Sequence, residues 1–312
     1  MRRFFVAVPR FTSILMVLTA AVALWEPRLF LWVHGTSQSI LLGVIMLTMG
    51  MTLSVRDFQG LVTSPMKMVV GVSSQFLVMP LSALILMTLF PTLPKGVLVG
   101  LSLVAACPGA VSSNIMSLLA KGDVAYSVGM TAVNTLLSPF VTPLIVWWLV
   151  GNRVPVEKSG LFVTIIFVIG LPTMIGILTN QLCAGKAKFE SAKAYFPFLS
   201  VVGLGLVIGG VTAQQGDYFL HSGVLIFLFS TLLNVMGYLG GWGVGRMMRF
   251  SLESKKTLSI EVGMQNAGLA TILATEHFAG VDGAAAMAAF SCVWYAITGA
   301  ILANFYSRWT TG

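Results

Sequence analysis

Ten mostly apolar stretches, each about 20 residues long, follow one another along this chain, and most of its charge lies in the short connections between them. About 20 apolar residues is the length of helix that crosses the hydrocarbon layer of a bilayer. Inside that layer every backbone N–H and C=O must find a partner within the protein, which leaves helices or closed barrels. Runs of this length restrict the chain to an all-α bundle of ten transmembrane helices. The spans are expected at approximately 12–32, 38–55, 67–90, 96–120, 124–150, 160–183, 196–214, 222–246, 257–276 and 283–305. Only 9% of residues are charged, against roughly 25% in soluble domains, and no stretch is long or polar enough for a soluble domain. The lipid bilayer is therefore the main partner. A net charge of +8 in a soluble protein would suggest nucleic acid. Here the basic residues sit in short loops and set topology, so no nucleic-acid partner is expected.

The loop charges orient the bundle. With the N-terminus inside, 14 of the 18 Lys and Arg residues fall on the inner side (Arg2, Arg3, Arg10, Arg56, Lys67, Lys121, Lys186, Lys188, Lys193, Arg246, Arg249, Lys255, Lys256, Arg308). Arg28, Lys95, Arg153 and Lys158 are outside. Both termini are expected to be cytoplasmic. Trp25, Trp32, Trp147 and Trp148 fall near outer ends, and Tyr195, Tyr306 and Trp309 near inner ends, as interfacial aromatic belts require; mid-span Trp294 reads as packing. The start, Met1-Arg2-Arg3-Phe4-Phe5, leads to Pro9-Arg10 and not to a cleavable apolar segment, so the first span is expected to be retained. Short tails and no transit-peptide composition point to a bacterial inner membrane. Cys107, Cys183 and Cys292 are scattered and give no disulfide or metal signature. Gly237, Gly241 and Gly245 form a small-residue row for close helix packing.

The spans divide into five plus five around residues 151–159, giving repeats 1–150 and 151–312. Five is odd, so the second repeat must run inverted to the first. In each repeat the fourth span is interrupted: Pro108-Gly-Ala-Val-Ser-Ser-Asn114 in one, Glu261-Val-Gly-Met-Gln-Asn-Ala-Gly268 in the other. Paired interruptions at matching positions of inverted halves mark a transporter binding site. Residue identity between the halves is slight, so the repeat rests on pattern.

Glu261 is the one acidic side chain placed within an apolar span. A charge there is costly unless compensated, which makes it a functional residue by default. Unwound helix frees backbone carbonyls, and a hard cation such as sodium takes several oxygen ligands. Ser113 and Asn114 follow the first break; Ser127 and Thr131, four apart, share a helix face; Gln75 lies within the third span; Gln265 is four residues past Glu261. Singly, span hydroxyls most often bond back to their own helix, Gln75 alone serves equally as interhelical glue, and Glu261, five residues after Lys256, is within snorkelling reach of the inner interface. It is their assembly around the breaks that favours an ion site. His34, His221 and His277 all lie at outer ends, which leaves no His-based site. Lys121-Gly122-Asp123 lacks the surroundings of an intramembrane aspartyl protease and reads as an interfacial charge. No phosphate-binding loop is present, so any pumping must use an ion gradient, and the chain is not read as an enzyme.

The runs Glu261-Val-Gly-Met-Gln-Asn-Ala-Gly-Leu-Ala270, Pro108-Gly-Ala-Val-Ser-Ser-Asn-Ile-Met116 and Leu136-Leu-Ser-Pro-Phe-Val-Thr-Pro143 resemble the bile acid:sodium symporter family, over essentially the full length of the chain. The resemblance implies a core domain of about 67–150 and 222–305, a panel domain of about 12–55 and 160–214, and broken spans 4 and 9 crossing inside the core. It implies two co-transported Na+ ions. One would be held by Ser113, Asn114, Ser127, Thr131 and Glu261. The other would be held by Gln75, Glu261 and Gln265 with the carbonyls of Val262 and Met264. Asn266, with Val111 and Ser112, would face the substrate. The family's bacterial pattern has Gly and Thr where this chain has Ala110 and Val111, which removes a hydroxyl from the substrate side.

The expected activity is sodium-coupled symport of an organic anion by alternating access. A bile-acid-like steroid, pantoate and a 2-keto acid are all compatible with the resemblance. Proton coupling through Glu261 is the alternative, followed by a channel or uniporter lined by the breaks.

Overall fold

The computed structural model describes residues 12–54, 64–193 and 195–309. The expected inner charges Arg2, Arg3, Arg10 and Arg56, and both termini, lie outside them. The described residues are mostly helical, and their only β-type pairing is a single antiparallel bridge, Gly109 with Gln265. The helices are α1 (Thr12–Trp25), α2 (Thr36–Gly50), α3 (Pro65–Leu89), α4 (Lys95–Ala106), α5 (Ser112–Leu119), α6 (Val124–Val150), α7 (Lys158–Ile165), α8 (Leu171–Cys183), α9 (Ala187–Lys193), α10 (Phe196–Gln214), α11 (Gly216–Met247), α12 (Leu252–Gly263), α13 (Ala267–His277) and α14 (Ala284–Arg308).

Six helical stretches among the described residues are long and apolar enough to cross a membrane: Pro65–Leu89, Val124–Val150, Lys158–Cys183, Phe196–Gln214, Gly216–Met247 and Ala284–Arg308. Ile14–Trp25, Thr36–Gly50 and Lys95–Ala106 are shorter apolar helices. The fourth and ninth expected spans fall below full length because each is cut in two, α4/α5 and α12/α13. Their ends carry local causes. Pro108 has no N–H and would clash with the preceding turn, and it forces Cys107 into an extended conformation (φ −73°, ψ 158°). Asp123 caps α6 by accepting from Tyr126 N (3.1 Å), Ser251 caps α12 through Ser254 N (3.3 Å), and Asn266 caps α13 through Leu269 N (3.1 Å).

The sixth expected span is not a plain helix. α7 widens into a π-helical turn at Ile166–Gly170 before α8. Pro172 cannot donate to Val168, and the wider turn accommodates that missing bond. Between Cys183 and Phe196, in place of a plain connection, the short helix α9 carries a Lys193–Glu190 pair at 3.2 Å.

α1, α2, α8 and α10 pack on one another, while α3, α4, α6, α11, α12, α13 and α14 form a second packed group. The glycine row of α11 lies against α12: a Cβ on Gly241 would stand 2.5 Å from Leu258 O, and one on Gly245 3.0 Å from Lys255 Cγ. That close approach is what small residues permit. Trp25, Trp32, Trp147, Trp148, Tyr195 and Trp309 are exposed on the bundle surface, as belts require. Tyr306 is not. It is buried, its hydroxyl lies 3.0 Å from Ser259 Oγ, and its ring stacks on Trp242. The sequence position of Tyr306 suits a belt; the hydroxyl of Ser259 draws it inward. Trp294 packs against Phe227 and Phe290.

Candidate functional site

The two breaks meet inside the second packed group and are tied backbone to backbone. Ala110 N donates to Met264 O (2.8 Å) and Asn266 N to Pro108 O (2.8 Å). Unwound backbone is stable at membrane depth only where its groups are satisfied within the protein, and here each break supplies the other's partners. Thr142 Oγ1 donates to Ala106 O (2.8 Å) and Asn234 Nδ2 to Gly263 O (2.8 Å), so the last carbonyl before the first break and the one ending α12 are also bonded. Gly109 allows the close approach: a Cβ there would lie 3.1 Å from Glu261 Oε2.

Glu261 is fully buried beside this bridge. Its Oε1 accepts from Ser113 Oγ at 2.6 Å and from Ser127 Oγ, and its Oε2 accepts from Thr131 Oγ1 at 2.9 Å. The same two hydroxyls of α6 also face Asn114 Oδ1, Ser127 at 2.8 Å and Thr131 at 3.2 Å. Ser113 Oγ further approaches Ala110 O. All five residues expected at the first ion position are thus within one contact shell, contributed by α5, α6 and α12.

Each hydroxyl carries one proton. Ser113, Ser127 and Thr131 therefore supply three, to be shared among both carboxylate oxygens, Asn114 Oδ1 and Ala110 O. Acceptors exceed donors, the ionised carboxylate carries a full negative charge, and no described ion pair includes Glu261. A cluster of hard oxygens with surplus lone pairs has the donor chemistry a small hard cation requires.

The second expected set is also gathered, with two of its carbonyls already engaged. Gln75 Nε2 lies 2.8 Å from Gln265 Oε1, and Gln265 Nε2 donates to Val262 O (2.7 Å). Turned over, the Gln75 amide donates to Glu261 O (3.1 Å) and accepts from Gly109 N (3.3 Å); in either orientation it is wedged between the breaks. Met264 O accepts the Ala110 N–H. A carbonyl oxygen has two lone pairs, so each retains one.

Asn266 is buried, and its Oδ1 is committed to capping α13. Val111 and Ser112 are half-buried at the start of α5. A Cβ on neighbouring Gly268 would meet Leu204 Cδ1 of α10 at 3.1 Å and Leu42 Cδ1 of α2 at 3.8 Å, which puts the Asn266 end of the crossing against the other packed group. Both α5 and α13 start at the breaks, so their positive dipole ends converge there.

Sequence reasoning missed Ser117, whose Oγ lies 3.2 Å from Ser127 Oγ, and the bracing residues Asn234 and Thr142. Their signal was present: amides and hydroxyls inside apolar spans with no local partner. Asp123, expected as an interfacial charge, pairs with Lys67 and accepts from Ser254 Oγ (3.3 Å), tying α3, α6 and α12 at one end.

A family model described as the Sodium Bile acid symporter family matches residues 39–222. An uncharacterized sodium-dependent transporter, YocS, of Bacillus subtilis is 36% identical over 296 residues, spanning 95% of this chain and 90% of the relative. Probable chloroplastic sodium/metabolite cotransporters named BASS1 are 38% identical in rice (92% of this chain, 70% of the relative) and 36% in Arabidopsis thaliana (92% and 71%).

Proposed function

Because the chain belongs to the sodium–bile acid symporter family, and is therefore a sodium-dependent membrane transporter and not an enzyme, we propose that it carries a small organic anion together with two Na+ ions by alternating access between a panel (α1, α2, α7, α8, α10) and a core (α3–α6, α11–α14). The observation that carries this reading is the acceptor surplus around Glu261. Sodium as co-substrate would sit among Ser113, Asn114, Ser127, Thr131 and Glu261, and a second ion among Gln75, Glu261, Gln265 and the carbonyls of Val262 and Met264. The substrate's anionic group would lie near Asn266, Val111 and Ser112, at the N-termini of α5 and α13. Ala110 and Val111 add no side-chain hydroxyl to this wall, so the substrate is held there by backbone N–H groups, the Asn266 amide and the Ser112 hydroxyl. In this reading both termini lie in the cytoplasm and the membrane is a bacterial inner membrane.

The same surplus could be relieved by a proton on Glu261, which is why proton coupling is the second reading. Thermal stability of the purified protein, titrated with NaCl against KCl at constant ionic strength and at pH 6 and 8, separates them. A sodium-specific rise is expected, since a ligand that binds only the folded form stabilises it by RT ln(1 + [L]/Kd), about 1.4 kcal/mol at ten times Kd. No difference between the salts, with stability following pH alone, would replace sodium by a proton.

A further inference from the structure

At one end of the seam between the two packed groups, four side-chain hydrogen bonds converge on three consecutive residues at the end of α13. Ser39 Oγ of α2 donates to Glu276 Oε1. Thr164 Oγ1 of α7 lies 3.2 Å from Glu276 Oε2 and 2.8 Å from His277 Nε2, and Thr275 Oγ1 donates to Gln38 Oε1 at 3.2 Å. His277 also rests on Gly160 of α7, where a Cβ would stand 3.0 Å from its Cε1. None of these residues contacts the crossing or belongs to the ion positions above. We propose that Thr275, Glu276 and His277 form a latch that clamps core to panel at the outer end, and that its release is the step that opens the cleft outward. The proposal rests on the panel–core reading above, and extends it to residues that touch neither ion nor substrate.

Two features fit a latch that must also let go. Apart from buried Gln38, its bonds are made by partly exposed groups, for which water can substitute once the seam parts. Gln38 opposes closure, because its Nε2 is buried in the closed seam with no partner. A buried donor left unpaired is costly, and opening would hydrate it. The closed end is thus held by hydroxyls and a carboxylate working against an orphaned amide, which leaves the two arrangements close in free energy.

Cys292 of α14 gives a native reporter. It is half-buried and packs against the cluster of Met16, Val201 and Ile208 from α1 and α10, so it lies in the seam between the groups. The test is alkylation of Cys292 in the full-length protein by a membrane-impermeant maleimide, applied to intact cells and separately to inside-out vesicles, and read by peptide mass spectrometry. The double variant Ser39→Ala/Thr164→Val removes the bridging hydroxyls. Labelling from outside should rise at least about fivefold, the population change for one net hydrogen bond, since the variant removes three bonds that water partly replaces. A second variant, Ser39→Cys/Glu276→Cys joined by a short, reducible thiol cross-linker, should instead suppress outside labelling and recover it on reduction. A misfolded protein would label faster in both. Unchanged outside labelling, or a rise confined to inside-out vesicles, would overturn the latch. The sodium-dependent stability of the cross-linked protein is measured alongside. If it is absent there and in the parent alike, the ion assignment fails while the latch result stands.

Discussion

Replacing Glu261 by Gln tests the acceptor surplus with almost no change of shape. The carboxylate meets three hydroxyl donors and no described cation. In the Glu261→Gln variant the new amide could keep its Oε1 as acceptor for Ser113 and Ser127 and present its NH2 to Thr131 Oγ1. Thr131 can then turn its own proton onto Asn114 Oδ1, 3.2 Å away. Every bond in the cluster is satisfied and the buried charge is gone. A buried charge without a counter-charge is costly, and a hydrogen-bonded neutral amide is far less so, so Glu261→Gln should melt at the same temperature as wild type or higher when sodium is absent. Its response to sodium should shift to much higher concentration. Hydrogen bonds and contacts to a charged group are worth about 1.5–3 kcal/mol, and losing that much attraction lowers sodium affinity by roughly 10- to 150-fold. The assay is thermal unfolding across a NaCl series balanced with KCl. A variant that sodium still stabilises with the wild-type midpoint would refute the reasoning. One that is sharply destabilised without sodium would show that the carboxylate is already compensated by something the hydrogen-bond count omits.

Gly241→Ala drives a methyl to 2.5 Å from Leu258 O and 2.9 Å from Ser259 Cα, both backbone, so α11 and α12 must separate; about 1–3 kcal/mol of destabilisation is expected in thermal unfolding, whereas Gly243→Ala, with open space around it, should be close to neutral. Asn234→Leu removes the donor to Gly263 O at the end of α12, and the orphaned carbonyl should cost about 1–3 kcal/mol and weaken sodium stabilisation along with it; an unaltered sodium response would separate the brace from the ion position. Burial pulls the Asp123 carboxyl upward, but the Lys67 ammonium, the Tyr126 amide and Ser254 outweigh it and hold it below the ordinary carboxylate range. A lowered pKa stabilises the fold above the unfolded-state value of about 3.9. That contribution is lost as pH falls through the lowered folded value, so Asp123→Asn should be less stable than wild type at pH 7 and show a smaller loss on acidification toward pH 3.

The parts of this molecule that sequence made legible are those with one physical solution. Glu261 within an apolar span requires compensation, and the hydroxyls and amide expected around it do surround it. Pro108 and the glycine-rich run after Glu261 had to interrupt helices, and they do. What escaped the sequence depends on which groups meet across the fold. Tyr306 stands at the right depth for an interfacial belt, yet Ser259 and Trp242 draw it into the core. Asn234 and Thr142 looked like ordinary polar residues in long helices until the free carbonyls of the breaks were located beside them. The π-turn before Pro172 was legible only as a proline inside a span, and the choice between a kink and a widened turn lies in how α7 and α8 pack on α2.

If ion and substrate bind as proposed, the bridge between the breaks would couple them over a short path. Ala110 is shared: its N–H donates to Met264 O and its carbonyl faces Ser113 Oγ, which in turn donates to Glu261. On the other strand Asn266 N donates to Pro108 O, one residue past Gln265 and two before Gly268, which faces α10 and α2. An ion drawing Ser113 and Glu261 toward itself would therefore pull on Ala110, and through it on Val111 and Ser112 at the mouth of α5. Coupling requires that these residues differ in position or mobility with and without sodium, because a ligand shifts an equilibrium only by its differential affinity for the two states. Gly109→Ala should interrupt that link without removing any ion-position side chain. Its Cβ, 3.1 Å from Glu261 Oε2 and 3.6 Å from Glu261 O, must displace the carboxylate by a few tenths of an ångström. Sodium should still stabilise the variant, with a raised midpoint, but sodium should no longer enhance binding of a substrate anion in the same titration. Full enhancement in Gly109→Ala would mean that the coupling travels by another route than the crossing.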